Sequence, residues 1–229
     1  NKIIEKIDPI HFLKSIKNTK EIKNTVDTHL KDGVALTKFL FWVKNNFEKK
    51  RITEISAQTK LESLRKKNIT YKFPSFDTIS GTGPNSAIIH YRASSKTNRV
   101  LKKGDLYLVD SGGQYNFGTT DVTRTISLGN QSNYIKEIYT RVLKGHIAVS
   151  KFQIKKNTTG SEVDKNARKF LRKINLDYPH GTGHGVGYFL NVHEGPQSLS
   201  KNNKINLRNG MIVSNEPGYY KEGKFGIRI

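Results

Sequence analysis

LYLVDSGGQYNFGTTDVTRTISL, residues 106–128, is two strand-forming arms around a run of turn residues. Leu106 to Asp110 forms the first arm. Thr119 to Leu128, rich in Thr, Val and Ile, forms the second. Gly112, Gly113, Asn116 and Gly118 between them are the residues tight turns need, so the stretch reads as a β-hairpin. A turn centred between Tyr115 and Asn116 sets Asp110 opposite Asp121, and a bulge at the glycines shifts this by one residue. Side chains directly opposite have Cβ atoms ~5 Å apart. Two ionised carboxylates at that spacing repel unless they share a proton or a cation lies between them. Hard divalent cations take oxygen ligands at ~2–2.5 Å, which suits the gap. The plainer alternative is two solvated aspartates on an exposed hairpin.

The same logic recurs at the C-terminal end, in MIVSNEPGYYKEGKFGIRI, residues 211–229. Strand-like Met211 to Ser214 leads to Glu216, and Phe225 to Ile229 runs back. A turn centred at Gly223 makes Glu216 face the position after Ile229. Between the hairpins, HGTGHGVGYFLNVHEGP carries three of the chain's seven histidines, His180, His184 and His193, among five glycines. Glycine permits close backbone approach, so this is expected to be a shaped loop forming a site. It is not a helical His-x-x-x-His metal motif.

The rest of the chain frames these stretches. Residues 1–20 are polar, interrupted by Pro9, and read as a linker or the tail of a preceding domain. Glu21 to Phe47 has helical spacing through Val26, Leu30, Val34, Leu40, Phe41 and Val43, with Trp42 read as core. Thr53 to Lys67 is a second helix, with Ile55, Leu61 and Leu64 as its stripe and its Lys/Arg cluster suited to a helix C-terminus. Ala87 to Tyr91 reads as a short strand, and His90 within it reads as structural. Helices are expected over Ser132 to Ile154 and through Val163, Ala167, Phe170 and Ile174, the latter capped by Ser161 with Asp164. His11, His29 and His146 receive no role.

Composition narrows the classes. The 229 residues are 34% hydrophobic and 26% charged, which is globular rather than disordered. The absence of cysteine excludes disulfides, zinc–thiolate sites and thiol nucleophiles, and fits a reducing, cytoplasmic setting. No leader pattern opens the chain, and the greasiest run, Phe39 to Val43, is far too short to span a bilayer. The first residue is Asn1 and the single methionine is Met211, so the sequence reads as trimmed from a longer protein. Net charge is +21, from 40 basic and 19 acidic residues. The lysines are scattered, without an arginine-rich run interleaved with aromatics, so no nucleic-acid partner is expected.

HYRAS, DSGGQY, TTDVTRT, HGTGHGVG, NVHEGP, NEPGYY and GIRI, in that order, resemble the catalytic domain of Xaa-Pro aminopeptidase (aminopeptidase P), in its longer, three-domain form. The likeness runs from about Asp8 to Ile229. It implies an α+β pita-bread fold: two pseudo-symmetric halves around a curved antiparallel sheet, with helices outside, occupying residues 21–229. It implies two divalent metal ions, usually Mn2+, with Asp110 on one, Asp121 bridging both, and His184 and Glu216 as further ligands. The family's remaining carboxylate ligand follows GIRI directly, one position past Ile229. Arg228 is implied to orient the ligand carboxylates. His193 resembles the proton-handling histidine, and His90 and His180 resemble substrate-binding histidines. The implied reaction is hydrolysis, by a metal-activated water, of peptides with proline in second position. Tyr188 and Phe189 are the candidates for the apolar wall that receives the proline. A homodimer is implied, and no membrane association. A prolidase or methionine aminopeptidase shares fold and ligands, and metal-free relatives act as binding modules. The four filled ligand positions favour the enzyme.

Overall fold

The computed structural model describes residue 3 and residues 8–229. The other residues of the expected linker, 1, 2 and 4–7, lie outside that description. Helix α1 (Pro9–Ser15) opens the described chain. Pro9 does not interrupt the segment but occupies the first helical turn, where its missing N–H has no partner to lose. Just after it, Lys17 is buried. Its ammonium donates to the Lys14 carbonyl at 2.9 Å and pairs with Glu194, the two side chains being 1% and 7% exposed.

Helix α2 (Thr19–Asn46) starts at a capping box in which Asn18 and Glu21 each accept the other's backbone N–H at 2.9 Å. The expected helix is present, but most of its expected stripe faces outward, Val43 excepted. Val26, Leu30, Val34 and Phe41 are more than half exposed, whereas Thr25, Thr28, Asp32, Ala35, Leu36, Phe39 and Val43 point inward. The polar members are tolerated inside because their groups are largely partnered. Arg65, at the end of α3 (Glu54–Arg65), grips Asp32 through Nε at 2.7 Å and Nη2 at 3.0 Å. Arg65 Nη2 also donates to Ser111 Oγ at 3.0 Å, and the Tyr115 hydroxyl donates to Asp32 at 2.6 Å. Arg65 is therefore a core residue, not a solvated helix-end charge.

Strands β1 (Tyr71–Pro74) and β2 (Ile79–Thr82) follow, then a 3-10 turn at Gly83–Ala87. The strand expected at Ala87 to Tyr91 does not form. The Ile88 N–H donates to Asn85 O at 3.2 Å and the Tyr91 N–H to Ile88 O at 3.1 Å, so local turns use the groups a ladder needs. The central hairpin comprises β3 (Leu106–Ser111), β4 (Gly113–Tyr115), β5 (Gly118–Thr119) and β6 (Val122–Ser127). Tyr115 pairs with Gly118, which centres the turn between Asn116 and Phe117, and Asp110 pairs with Thr123 rather than Asp121. Moving the centre by one residue moves every pairing by two, which preserves the face. The two aspartates are thus diagonal neighbours on one side. At Gly112 a Cβ would lie 1.9 Å from the Thr120 carbonyl oxygen, so only glycine admits the cross-strand approach where the hairpin kinks.

Helix α4 (Asn133–Ser150) is capped by Ser132, and α5 (Gly160–Arg172) packs against it. The α5 cap is Thr159 with Glu162, whose carboxylate accepts the Thr159 N–H at 2.7 Å, not Ser161 with Asp164. Asp164 is buried, accepting from Arg168 Nε at 2.8 Å and Thr182 Oγ1 at 2.6 Å. Strands β7 (Gly183–Gly185) and β8 (Glu194–Leu199) bracket the histidine loop, and β9 (Gly218–Lys221) and β10 (Phe225–Arg228) form the last hairpin. Its register, Phe225 on Lys221 and Arg228 on Gly218, is centred on Gly223 as expected. Met211 to Ser214 contributes isolated bridges, Ile16 to Met211 and Gly185 to Val213, instead of a strand.

Among the described residues all pairing is antiparallel, divided among small sheets ordered β1-β4-β5, β2-β3-β6, β7-β8 and β9-β10. Strand β3 is the hub. Tyr107 and Val109 enter a core with Leu36, Phe39 and Leu61 of the first two long helices. Leu106 enters a second core with Ile138, Leu171 and Ile227. Asp110 shares the parity of Leu106 and so faces the second half. There the Thr125 hydroxyl donates to the Arg228 carbonyl at 2.8 Å and accepts the Arg228 N–H at 3.1 Å, joining the hairpins.

Candidate metal centre

One cleft of about 370 Å³ is lined by eight of the ten residues singled out from the sequence: His90, Asp110, Asp121, His180, His184, His193, Glu216 and Arg228. Among the described residues, one His/Asp/Glu cluster has the size of a metal site. It is Asp121, His184 and Glu216, whose ligand atoms lie within 4.8 Å of one another. Asp110 stands beside this trio but turns one oxygen to Arg228 Nη2 at 2.7 Å. Its other oxygen, Oδ1, is buried without a hydrogen-bond partner.

Backbone geometry holds the trio. A Cβ at Gly183 would lie 1.9 Å from the Ser214 carbonyl oxygen, so glycine lets the two segments touch next to His184. The Ser214 hydroxyl accepts the His184 N–H at 2.9 Å and donates to Glu216 Oε1 at 2.7 Å, while the Glu216 N–H donates to Thr182 O at 2.8 Å. His184 Nδ1 lies 2.8 Å from the Gly185 carbonyl, which can only accept, so Nδ1 carries a proton. Nε2 then faces Asp121 at 3.2 Å and Glu216 at 3.0 Å. A bare lone pair aimed at two carboxylates is unfavourable, and a positive species is required there. Without a metal, a second ring proton supplies it. Burial opposes that charge, yet the hydrogen bonds to Asp121 and Glu216 and the Glu216 charge push the imidazole up to about 10.

The neighbouring groups show the same excess of negative charge. Burial pushes Asp110 up to about 6, with Arg228 pulling it down and Asp121 and Glu216 adding to the rise. Glu216 is opposed by burial but held below the usual carboxylate range by His184, Ser214 and Arg228. Two carboxylates, one imidazole and an unpartnered buried oxygen on a third carboxylate fit hard or borderline divalent cations.

Two histidines are held neutral. Burial, and then the charge of His184, lowers His193, whose ring stands edge-on at 4.3 Å between centroids. Burial also lowers His180. Its Nδ1 donates to Gly181 O at 2.7 Å, so Nε2 accepts from the Tyr220 hydroxyl at 2.8 Å. Tyr220 in turn accepts from Arg228 Nη1 at 2.7 Å. Tyr220 was missed in the sequence, although it sits inside NEPGYY. His90 is exposed at the cleft's edge. Tyr188 and Phe189 do not line the cleft: the Tyr188 hydroxyl accepts from Asn24 at 2.9 Å and Phe189 is half exposed. Phe76, Ile79 and Ile89 form the apolar wall instead.

Comparison with known proteins adds a family to this geometry. The profile of metallopeptidase family M24 matches residues 26–229. The chain is 47% identical to Xaa-Pro aminopeptidase 1 of Dictyostelium discoideum, over 99% of this chain and 37% of that protein. It is 48% identical to a probable Xaa-Pro aminopeptidase P of Laccaria bicolor, over 96% and 35%. The chain therefore spans little more than a third of the length of these curated relatives. Among solved structures, the X-prolyl aminopeptidase of Caenorhabditis elegans, described as a cytosolic enzyme with a di-nuclear active site, superposes with a TM-score of 0.93 at 39% identity, over 97% of this chain and 37% of that one. The prolidase of Pyrococcus furiosus superposes at 0.86 with 31% identity, over 97% and 63%. The architecture is the α+β pita-bread fold of these enzymes.

Proposed function

The chain belongs to metallopeptidase family M24, and from that premise we propose that it is the catalytic part of an aminopeptidase that removes the first residue from peptides with proline in second position. The observation that carries the reading is the convergence of Asp110, Asp121, His184, Glu216 and three further histidines on one cleft. Xaa-Pro specificity comes from the named relatives, and it suits a cleft whose apolar wall is Phe76, Ile79 and Ile89. A proline ring offers such a wall its shape and brings no N–H that needs an acceptor.

Asp110, Asp121, His184 and Glu216 would hold two divalent cations, with manganese favoured by the oxygen-rich donor set. Bound there, such ions activate water at neutral pH and polarise the scissile carbonyl. Arg228 fixes Asp110 through one oxygen and leaves the other free to ligate. His193, neutral and close to His184, is placed to take up the proton that the attacking water releases and to pass it to the departing proline nitrogen. His180, with both ring nitrogens engaged, shapes the cleft by its ring edge, and His90 meets the peptide at the rim. Homodimer formation and a cytoplasmic location are further parts of this reading. They lean on the family likeness, the second also on the cytosolic C. elegans relative; no described helix is long and apolar enough to cross a membrane.

The test is hydrolysis of Arg-Pro-Pro by the full-length protein, with and without Mn2+. Metal-dependent release of arginine is expected. Cleavage confined to Xaa-Pro dipeptides would mark a prolidase instead, and salt-sensitive RNA binding without metal would mark a binding module.

A second expectation concerns pH. In the metal-free protein the folded-state pKa of His184 lies at about 10, above its ordinary 6.5. Its stabilisation is complete below pH 6.5 and is lost as pH rises through 10. A cation must displace that proton, so Mn2+ affinity should climb between pH 6.5 and 9 by up to about tenfold per unit. Titration calorimetry showing a flat affinity over this range would exclude His184 as a ligand.

A further inference from the structure

The rim of the cleft carries an ion pair that the proposed chemistry does not use. Arg92 Nη1 pairs with Asp77, both line the cleft, and their side chains are 68% and 74% exposed. Both side chains are exposed, but the chain beside each is anchored. Tyr91, next to Arg92, is buried and donates its hydroxyl to Glu54 at 2.8 Å. Ser75, two residues before Asp77, donates through its hydroxyl to Thr120 O at 2.8 Å and through its N–H to Gly112 O at 3.2 Å. Among the described residues, Asp77 is also the one carboxylate lining the cleft outside Asp110, Asp121 and Glu216.

The inference rests on the aminopeptidase reading. The reacting carbonyl must lie at the buried end, by Asp121 and Glu216, and only one residue precedes it. The rest of the peptide must leave by the open rim, so groups at the rim meet residues beyond the second. We propose that Arg92, whose partner in this structure is Asp77, exchanges that partner for a carboxylate carried by the third residue of the peptide. A guanidinium has five N–H donors in a planar fork. The one at Nη1 that serves Asp77 leaves others to face the cleft. The carboxylate can be the free C-terminus of a tripeptide or an acidic third side chain. An exposed pair is weakly held, so it adapts readily to an incoming anion.

The experiment compares kcat/KM of the full-length protein on Arg-Pro-Ala as free acid, Arg-Pro-Ala-amide and Arg-Pro-Asp-amide. Arg92→Ala is expected to reduce the preference for the anionic peptide over Arg-Pro-Ala-amide about fivefold, through KM with kcat unchanged. Asp77→Asn, which removes the competing charge, is expected to increase that preference. Raising salt should erase the difference. Loss confined to the free acid identifies the C-terminus as the anion, and loss confined to Arg-Pro-Asp-amide identifies the side chain. Lys103→Ala, at an exposed ion pair with Glu48 outside the cleft lining, serves as the charge control. Preferences that stay within twofold in Arg92→Ala, or that shift as much in Lys103→Ala, overturn the inference while leaving the aminopeptidase intact. Failure of the wild-type protein to cleave any of the three peptides removes both.

Discussion

Asp121→Ala is expected to lower kcat/KM by at least about a thousandfold, roughly 4 kcal/mol of transition-state stabilisation, without unfolding the protein. Asp121 supplies one of three ligand atoms clustered within 4.8 Å, and its carboxylate is one of the two that His184 Nε2 faces. Losing it removes a donor and loosens the imidazole that the cluster orients. Metal content should fall with activity, which mass spectrometry or elemental analysis reads directly. In the metal-free fold two effects oppose each other. Deleting Asp121 relieves the repulsion that raises Asp110 but removes a partner of the protonated His184. A melting temperature close to that of the wild type in the metal-free variant, with lost activity, is the pattern of a residue that serves chemistry rather than the fold. Full metal content with wild-type turnover would remove Asp121 from the centre.

Arg228→Met is the complementary case, with its largest effect on stability. Arg228 is buried with Asp110, at 3% and 9% side-chain exposure, and its guanidinium also reaches the Tyr220 hydroxyl and approaches Glu216 at 4.0 Å. Removing one partner of a buried pair strands the other charge, a loss of about 3–5 kcal/mol. The pH dependence carries the diagnosis. Burial already raises Asp110 to about 6 with Arg228 present, and the arginine is the largest influence pulling it down. Without it the folded-state pKa rises further. A carboxyl raised above its unfolded value destabilises the fold above that pKa and stops doing so once protonated. The gap between variant and wild type, measured in the metal-free proteins by urea denaturation, should be widest at pH 7 and narrow towards pH 5. A gap independent of pH would mean that lost packing, not a stranded charge, is responsible.

The site was more legible in the sequence than the scaffold around it, for a physical reason. Glycine, proline and paired acids leave strong local marks, so the turn at Gly223 and the histidine loop could be placed without long-range information. The hairpin of Asp110 and Asp121 was misregistered by two residues, and the even period of the strand protected the conclusion that both aspartates share a face. Helix α2 shows the converse. Its length followed from periodicity, but its inward face did not. Asp32 is buried because Arg65 and Tyr115 meet it there, and no local pattern announces a partner 33 or 83 residues away. The misplaced strand at Ala87 to Tyr91 has the same origin, since hydrophobicity alone does not reveal that its backbone groups are already used in turns. Tyr220 became visible as a site residue only when folding placed it between His180 and Arg228.

The buried pair between Lys17 and Glu194 gives the molecule a birth order. The two residues are 177 positions apart, so a ribosome adding 5–20 residues per second leaves the lysine waiting roughly 10–35 s for its partner. Until Glu194 emerges, Lys17 has no acid to pair with, whereas the turn bearing His193 finds its lysine already made. Helix α1 and Lys17 are thereby made well before β8, the strand they dock on, and that docking fastens one end of the histidine loop.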